Sequence, residues 1–216
     1  MKRLISYCYF LFCKFFFKFY CPLKVDGQEY LPKTPFILCS NHNSHMDTPV
    51  LMLATGLPFK SFGMVAAKDY FFDNRLRKAI VNAIMNLIPI DRKVSRESLS
   101  NNIAACKNFV ENRGHHLIIY PEGTRSLSGE IQSFKRGPAM IASELAMPLV
   151  PVYIDGTYQS LGKGSFFPKL GKIYVRIGPP IFATQDKNKI TQLLEDSVKQ
   201  LKECVQNEAN EVVGLG

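Results

Sequence analysis

The sequence predicts an α/β protein, a single-domain sandwich in which a central mixed sheet is flanked by helices. Short apolar runs alternate with helical stretches along its 216 residues, and this alternation is typical of a sheet covered by helices. The hydrophobic fraction of 46% and the charged fraction of 21% are those of a folded domain and exclude a disordered chain. A chain of this length most often forms one domain.

The first 25 residues differ in composition from the rest of the chain. They contain five basic residues, no acidic residue, and nine aromatic residues between Tyr7 and Tyr20. At the helical period, Arg3, Tyr7, Lys14 and Lys18 fall near one face. We therefore expect residues 1 to 25 to form an amphipathic helix that lies in a membrane interface, and residues 26 to 216 to form the main domain.

Other interpretations of this segment stay open. The longest uninterrupted apolar run, from Leu4 to Cys13, has ten residues, whereas a bilayer-spanning helix needs about 20. A spanning helix from Leu4 to Tyr20 would require Lys14 and Lys18 to snorkel. A signal peptide would also begin with basic residues, although no small-x-small cleavage site follows Cys13. A helix of the domain core is the remaining alternative.

The remaining elements follow from the spacing of apolar residues. Strands are predicted for residues 36–40, 63–67, 87–90, 117–120, 149–154 and 173–177. Helices are predicted for residues 48–55, 71–86, 97–112, 138–145 and 186–211, and Gly114 stands where a helix stop is expected. In a sheet of this kind the active site lies on loops at the strand ends.

The net charge of +9 favours an anionic partner: nucleic acid, anionic lipid or a phosphorylated substrate. Nucleic acid is the least favoured, because the densest basic segment is interleaved with phenylalanine and no nucleic-acid-binding motif is present. The six cysteines form no C-x-x-C pair and lie mostly in apolar runs. This usage indicates thiols in a reducing compartment and not a disulfide framework.

The first candidate site follows the first predicted strand, at His42 and Asp47. Five residues on one helix would place these side chains about 140° apart, so they can meet only if His42 lies in a turn and Asp47 opens the next helix. Asp47 could then orient the imidazole of His42, which would act as a general base. Asp47 could instead cap the helix, His42 could be a buried structural histidine, or both could bind a metal with His45.

The second candidate site follows the strand at Leu117. Gly123 permits close approach of a ligand to the backbone, and the guanidinium of Arg125 matches phosphate oxygens. Thr124 and Ser126 could complete an anion cradle, and Glu122 could orient Arg125 or bind a polyol. Two further cations, Lys68 and Arg92, also follow predicted strands. The alternative is a turn with solvated charges.

Together these segments resemble the glycerolipid acyltransferase family that includes the 1-acylglycerol-3-phosphate acyltransferases. The resemblance spans residues 36 to 157. Five blocks carry it in order: the H-x4-D block at residues 42–47 with Asn41 before it, Lys68-Asp69-Tyr70, Ile88-Pro89-Ile90-Asp91-Arg92, the block from Tyr120 to Ser126 that contains P-E-G-T-R-S, and Leu149 to Ile154. Asn86 replaces the usual glycine of the third block, Asp69 replaces a common glutamate, and Pro138 replaces a usual alanine.

The resemblance implies an enzyme in which His42 is the general base and Asp47 its partner, within a catalytic domain of residues 26 to 216. Acceptor-binding residues would be Glu122, Gly123, Thr124, Arg125, Lys68 and Arg92. The donor would be acyl-CoA or acyl-carrier-protein, the acceptor lysophosphatidate, and the product phosphatidic acid, with no metal or other cofactor.

We expect association with membrane lipids at the cytoplasmic face of an inner or endoplasmic membrane. Two alternatives remain. One is another lysolipid acceptor, such as a larger lysophospholipid or a lyso-ornithine lipid, and the other is a non-catalytic peripheral membrane protein.

Overall fold

A computed structural model describes residues 2–68, 81–82, 84–92, 95–113, 115–182 and 184–214. The seven strands of this part form one sheet in the order β1-β7-β6-β2-β5-β3-β4. Neighbouring strands are parallel except β6 and β7, which are antiparallel. The predicted mixed sheet flanked by helices is therefore confirmed.

The sequence predicted six of the seven strands. The strands are β1 (Leu23–Asp26), β2 (Ile37–Ser40), β3 (Phe62–Ala67), β4 (Asn86–Ile90), β5 (His116–Ile119), β6 (Leu149–Asp155) and β7 (Ile173–Ile177). The helices are α1 (Lys2–Phe19), α2 (Asp47–Thr55), α3 (Arg96–Arg113), α4 (Gly137–Leu145), α5 (Thr157–Leu161) and α6 (Lys187–Gly214). The helix predicted over residues 71–86 and the stop at Gly114 fall mainly outside the described residues, but Asn86 belongs to β4.

Two apolar clusters cover the two faces of the sheet. Alternate residues of a strand point to opposite faces, and in β2 Leu38 belongs to the cluster under α1 and α2, whereas Ile37 and Cys39 belong to the cluster under α3, α4 and α6. In β5, Ile118 faces the first cluster and Leu117 the second. Helices therefore bury both faces of the sheet, as the apolar runs of the strands require.

The N-terminal segment differs from the prediction of one helix over residues 1 to 25. Helix α1 ends at Phe19, and after Pro22 the chain enters β1, which pairs with β7 at the sheet edge. Proline cannot donate the backbone hydrogen bond that would continue the helix. The alternation of Leu23, Lys24, Val25 and Asp26 has the period of a strand. The segment thus supplies a helix and an edge strand.

Helix α1 packs against the domain on one side only. Cys13 and Phe17 are buried in the core cluster, and the ring of Phe10 meets Phe59 edge-on at 5.3 Å between centroids. The opposite face leaves large apolar side chains exposed, including Phe12, Phe15 and Phe19. Among the described residues, no helix combines the length and the apolar character needed to cross a bilayer.

The sheet brings the candidate motifs to one edge. Strands β2, β3, β4, β5 and β6 run in the same direction, so their carboxyl ends share that edge. The H-x4-D block follows β2, the P-E-G-T-R-S block follows β5, and Lys68 and Arg92 follow β3 and β4. This is the edge at which α/β sheets bind ligands.

Candidate active site

His42 and Asp47 form a close pair in the turn between β2 and α2. His42 Nδ1 lies 2.9 Å from Asp47 Oδ2. The side chain of Asp47 is 1% exposed and that of His42 is 18% exposed, and His42 lines a cavity. Asp47 therefore holds the proton on Nδ1, which leaves Nε2 as the nitrogen that can accept a proton.

The carboxylate of Asp47 also organises the turn that carries His42. Its Oδ2 accepts hydrogen bonds from the backbone N–H groups of Asn43, at 2.7 Å, and Ser44, at 2.8 Å. These donors precede Asp47 in the chain, and the capping position before α2 is occupied by Met46, which makes no side-chain capping hydrogen bond. Asp47 is therefore not a helix cap here, since a cap accepts from N–H groups of the following turn.

The metal-site interpretation finds no additional ligands. Asp47 Oδ2 is already bonded to the His42 ring and to two backbone N–H groups. In the part of the chain that the structure describes, no three side chains of histidine, cysteine, aspartate or glutamate gather as metal ligands. His45 lines the same cavity as His42.

Tyr120 fixes the plane of the imidazole. Its ring stacks on His42 with centroids 3.7 Å apart and planes 11° from parallel. Its hydroxyl lies 2.8 Å from Thr48 Oγ1 in the first turn of α2. Burial, together with the nearby Asp47, raises the pKa of Tyr120 well above its usual value, so this hydroxyl stays neutral and serves as a hydrogen-bonding anchor.

Hydrogen bonds to neighbouring segments tie the His42 turn to the carboxyl ends of the strands. The side-chain amide of Asn41 donates to the carbonyl of Ile154 and accepts from its N–H, both at 2.9 Å. The N–H of Ser126 donates to the carbonyl of His42 at 2.7 Å. The turn is therefore fixed by β6 on one side and by the P-E-G-T-R-S block on the other.

Glu122 lies beneath the turn and not on the cavity wall. Glu122 is 2% exposed, and its Oε1 accepts a hydrogen bond from the backbone N–H of His42 at 2.9 Å. Burial raises the pKa of Glu122 to about 7, against the opposing effect of that hydrogen bond. Its Oε2 has no hydrogen-bond partner among the described residues. The sequence assigned Glu122 to acceptor binding, whereas its position favours support of His42.

Gly123 makes room for a cation above the P-E-G-T-R-S turn. Its φ is +73°, in the left-handed region that favours glycine. A Cβ at this position would lie 2.7 Å from Lys135 Nζ. The N–H of Lys135 also donates to the carbonyl of Pro121 at 3.0 Å. The absence of a side chain at Gly123 thus lets Lys135 lie directly over the turn.

A cavity of about 1240 Å³ opens beside His42. Its lining combines two kinds of surface. Apolar residues of the strands and helices form one part, and they include Met64, Val65, Met85, Ile90, Leu99, Ile119, Met140 and Ile141. Cationic residues form the other part, and among the described residues they are Arg92, Arg96, Arg125, Lys135, Arg136 and Lys163.

Most of the predicted acceptor-binding residues line this cavity. Gly123, Thr124, Arg125 and Arg92 do so. Lys68 instead pairs with Asp91, with Lys68 Nζ 2.8 Å from Asp91 Oδ2 at an exposed position. The structure thus joins the two motifs at one site and places Lys68 at its margin, where it compensates the charge of Asp91.

Sequence reasoning missed several residues of this site. It quoted Tyr120 and Asn41 as parts of their blocks but gave them no role, because stacking and a side-chain bridge to β6 depend on the folded sheet. It also gave no role to Lys135 and Arg136, which line the cavity. The adjacent basic pair of residues 135–136, just before a helix, is the signal that could have indicated an anion site.

Comparison with known proteins adds a family to this geometry. The family model for acyltransferases matches residues 22–155. A 1-acyl-sn-glycerol-3-phosphate acyltransferase of Limnanthes douglasii is 31% identical over 160 residues, 74% of this chain and 54% of that protein. A protein of the same name from Borreliella burgdorferi is 26% identical over 189 residues, 84% of this chain and 72% of that protein.

A solved structure shares the fold. The crystal structure of the 1-acyl-sn-glycerophosphate acyltransferase of Thermotoga maritima superposes with a TM-score of 0.73 and 27% identity, covering 94% of this chain and 80% of that chain. The chain spans about half the length of the Limnanthes relative. The matched region contains both motifs of the site and six strands of the sheet, β1 to β6, and the chain belongs to the acyltransferase family.

Proposed function

We propose that this protein transfers an acyl chain from acyl-CoA or acyl-carrier-protein to the free hydroxyl of 1-acylglycerol-3-phosphate, which yields phosphatidic acid. The observation that carries the proposal is the His42–Asp47 pair, which opens into a cavity with both a cationic and an apolar lining. Similarity to proteins named 1-acyl-sn-glycerol-3-phosphate acyltransferase supports the choice of acceptor.

The geometry supports a general-base mechanism. His42 Nε2 takes the proton of the acceptor hydroxyl as its oxygen attacks the thioester carbonyl carbon. The negative charge of Asp47 stabilises the imidazolium that forms. The tetrahedral intermediate then breaks its carbon–sulfur bond, and the thiolate leaves with the proton that His42 had accepted. The products are an ester and a free thiol, and no serine nucleophile is needed because the substrate alcohol attacks directly.

The cationic part of the cavity fits the acceptor phosphate. Arg125 presents a planar fork that pairs with two phosphate oxygens, while Lys135 and Arg136 add positive charge beside it. The hydroxyl to be acylated is close to the phosphate in the substrate, so phosphate binding near His42 also positions that hydroxyl. Such positioning accounts for a large share of the rate enhancement in two-substrate reactions.

The apolar part of the cavity fits an acyl chain, and the surface of α1 fits a membrane. Exposed Phe12, Phe15 and Phe19 on α1 lie beside Lys14 and Lys18, a combination suited to the headgroup region of an anionic bilayer. Both the acceptor and the product partition into lipid. We therefore propose that the protein acts while bound to the cytoplasmic face of an inner or endoplasmic membrane.

The test is transfer of a labelled acyl chain to lysophosphatidate by the wild type and two variants. His42→Ala removes the base, and Asp47→Asn removes the charge that stabilises imidazolium. Each is expected to lower kcat by roughly 10²–10⁴-fold, the usual contribution of general-base catalysis. His115→Ala, at the opposite end of the sheet, controls for loss of a histidine, and circular dichroism verifies that every variant folds.

Different outcomes separate the alternatives. Wild-type activity that survives in folded His42→Ala contradicts the mechanism. Activity with another lysolipid but none with lysophosphatidate, in a panel that includes lyso-ornithine lipid, retains the mechanism and replaces the acceptor. Membrane binding without transfer to any acceptor in the panel indicates the non-catalytic peripheral protein.

A further inference from the structure

The loop of residues 162–172, between α5 and β7, exposes an unusual amount of apolar surface. Phe166 is 93% exposed, Phe167 is 84% exposed and Leu170 is 73% exposed. Both phenylalanine rings project into solvent, and neither lines the cavity beside His42. Adjacent exposed phenylalanines on a soluble surface are costly and mark an interaction site.

Backbone contacts hold this loop in place. The N–H of Lys169 donates to the carbonyl of Ser160 at 2.8 Å, and the N–H of Ser165 donates to the carbonyl of Gly162 at 3.1 Å. The hydroxyl of Tyr20 donates to the carbonyl of Pro168 at 2.9 Å. The exposed rings therefore lie on a loop whose backbone is held in place by hydrogen bonds.

The same loop links the catalytic turn to the end of α1. On one side, Gly162 forms an isolated β-bridge with Ser44 of the H-x4-D block, and Ser44 Oγ donates to the carbonyl of Leu161 at 2.7 Å. On the other side, Tyr20, just after α1, contacts Pro168. Lys163 of the loop lines the cavity. The exposed rings are thus continuous with the exposed face of α1 and adjacent to the cavity mouth.

The charge of the loop indicates which partner it fits. Lys163, Lys169 and Lys172 are exposed, and residues 162–172 contain no acidic residue. Aromatic rings flanked by lysines suit the boundary between anionic lipid headgroups and acyl chains, where rings enter the apolar phase and ammonium groups meet phosphates. An acidic protein surface would pair with the lysine ammonium groups but would not provide an apolar phase for two adjacent phenyl rings.

We infer that the 162–172 loop is a second membrane-inserting element, which places Phe166 and Phe167 in an anionic bilayer and so holds the cavity mouth at the lipid surface. This inference rests on the proposed membrane-bound acyltransferase. With α1, which the Tyr20–Pro168 hydrogen bond joins to the loop, it gives two neighbouring points of attachment, and two weak attachments to one surface reinforce each other. Their combination fixes the orientation of the cavity relative to the bilayer.

The chain contains no tryptophan, so single tryptophans report insertion without background. Phe167→Trp is mixed with vesicles of phosphatidylglycerol and phosphatidylcholine, some with brominated acyl chains. We expect a blue shift of its emission and quenching by the brominated lipid. Phe182→Trp is the matched control, because Phe182 is likewise an exposed phenylalanine, with 69% exposure. It follows Ile181, which pairs with Leu149 at the start of β6, at the end of the strand away from the cavity. It should show neither change.

A second variant gives a functional readout. Phe166→Ser/Phe167→Ser should partition into anionic vesicles about tenfold or more weakly, since each ring loses its transfer from water to lipid. Transfer to a vesicle-borne acceptor should fall in parallel, while transfer to a water-soluble short-chain acceptor stays unchanged. Phe182→Ser should match the wild type in both assays.

Three outcomes overturn the inference: unshifted Phe167→Trp emission in a vesicle-bound protein, no vesicle binding at all, or unchanged partitioning of the double serine variant. A wild type that inserts but transfers no acyl chain to any acceptor refutes the proposed function alone. The fluorescence result is independent of that failure.

Discussion

At the residue scale, Glu122 has a stability effect that depends on pH. Its pKa is raised to about 7 in the folded protein, mainly by burial, against about 4.3 for an unfolded glutamate. A raised pKa means that its stabilising contribution is fully present below the unfolded pKa and is lost as pH rises through the folded one. The unfolding free energy of the wild type relative to Glu122→Gln should therefore decrease between about pH 4.3 and pH 7.

Urea unfolding at closely spaced pH values measures this difference, and Glu111→Gln, on the exposed side of α3, controls for loss of one carboxyl group. A difference that does not change across this pH range contradicts the prediction.

The sequence placed Glu122 in the site but could not assign its partner, because the N–H of His42 lies 80 residues away along the chain. Likewise, the spacing of His42 and Asp47 allowed their pairing without deciding between pairing and capping.

At the element scale, the Asn41 side chain joins the end of β2 to β6. Its two hydrogen bonds to the backbone of Ile154 are buried, and they continue the β2–β6 ladder beyond Ser40 and Val152. Asn41→Ala would leave the N–H and carbonyl of Ile154 without these partners. Each unsatisfied buried group costs about 1–3 kcal/mol, so the loss of both partners should lower the unfolding free energy by roughly 2–6 kcal/mol.

The turn that carries His42 starts at Asn41, so kcat should fall with stability, which urea unfolding and acyl-transfer assays measure. Asn112→Ala, which removes an exposed amide on α3, should change stability by less than about 0.5 kcal/mol. Equal effects of the two variants would contradict the role of Asn41.

Buried strands such as β2 and β6 were predictable because four or more apolar residues run together. The edge strand β1 and the five-residue helix α5 were missed, because short, half-exposed elements lack that signal.

At the scale of the whole molecule, the sequence predicted the α/β sandwich and the shared edge of the two motifs, because parallel strands bring their following loops together. It could not predict which apolar residues the fold leaves exposed. Phe17 and Phe15 are both phenylalanines of α1, yet Phe17 is 6% exposed and Phe15 is 66% exposed. The helical period of its residues predicts an amphipathic helix. Its packing against α2 and Phe59 is what divides its aromatic rings between the core and the surface.

This division predicts that substitutions on the exposed face of α1 change membrane binding, whereas substitutions on its buried face change the stability of the protein. Phe15→Ser/Phe19→Ser should weaken binding to anionic vesicles and leave the unfolding free energy nearly unchanged, because both rings are exposed. Phe17→Ala should lower the unfolding free energy by about 3–5 kcal/mol, the cost of emptying a buried phenylalanine site. Vesicle co-sedimentation and urea unfolding of both variants measure the two effects. If both changes reduced stability equally, α1 would be a core helix on all sides and its outer face would not be a membrane surface.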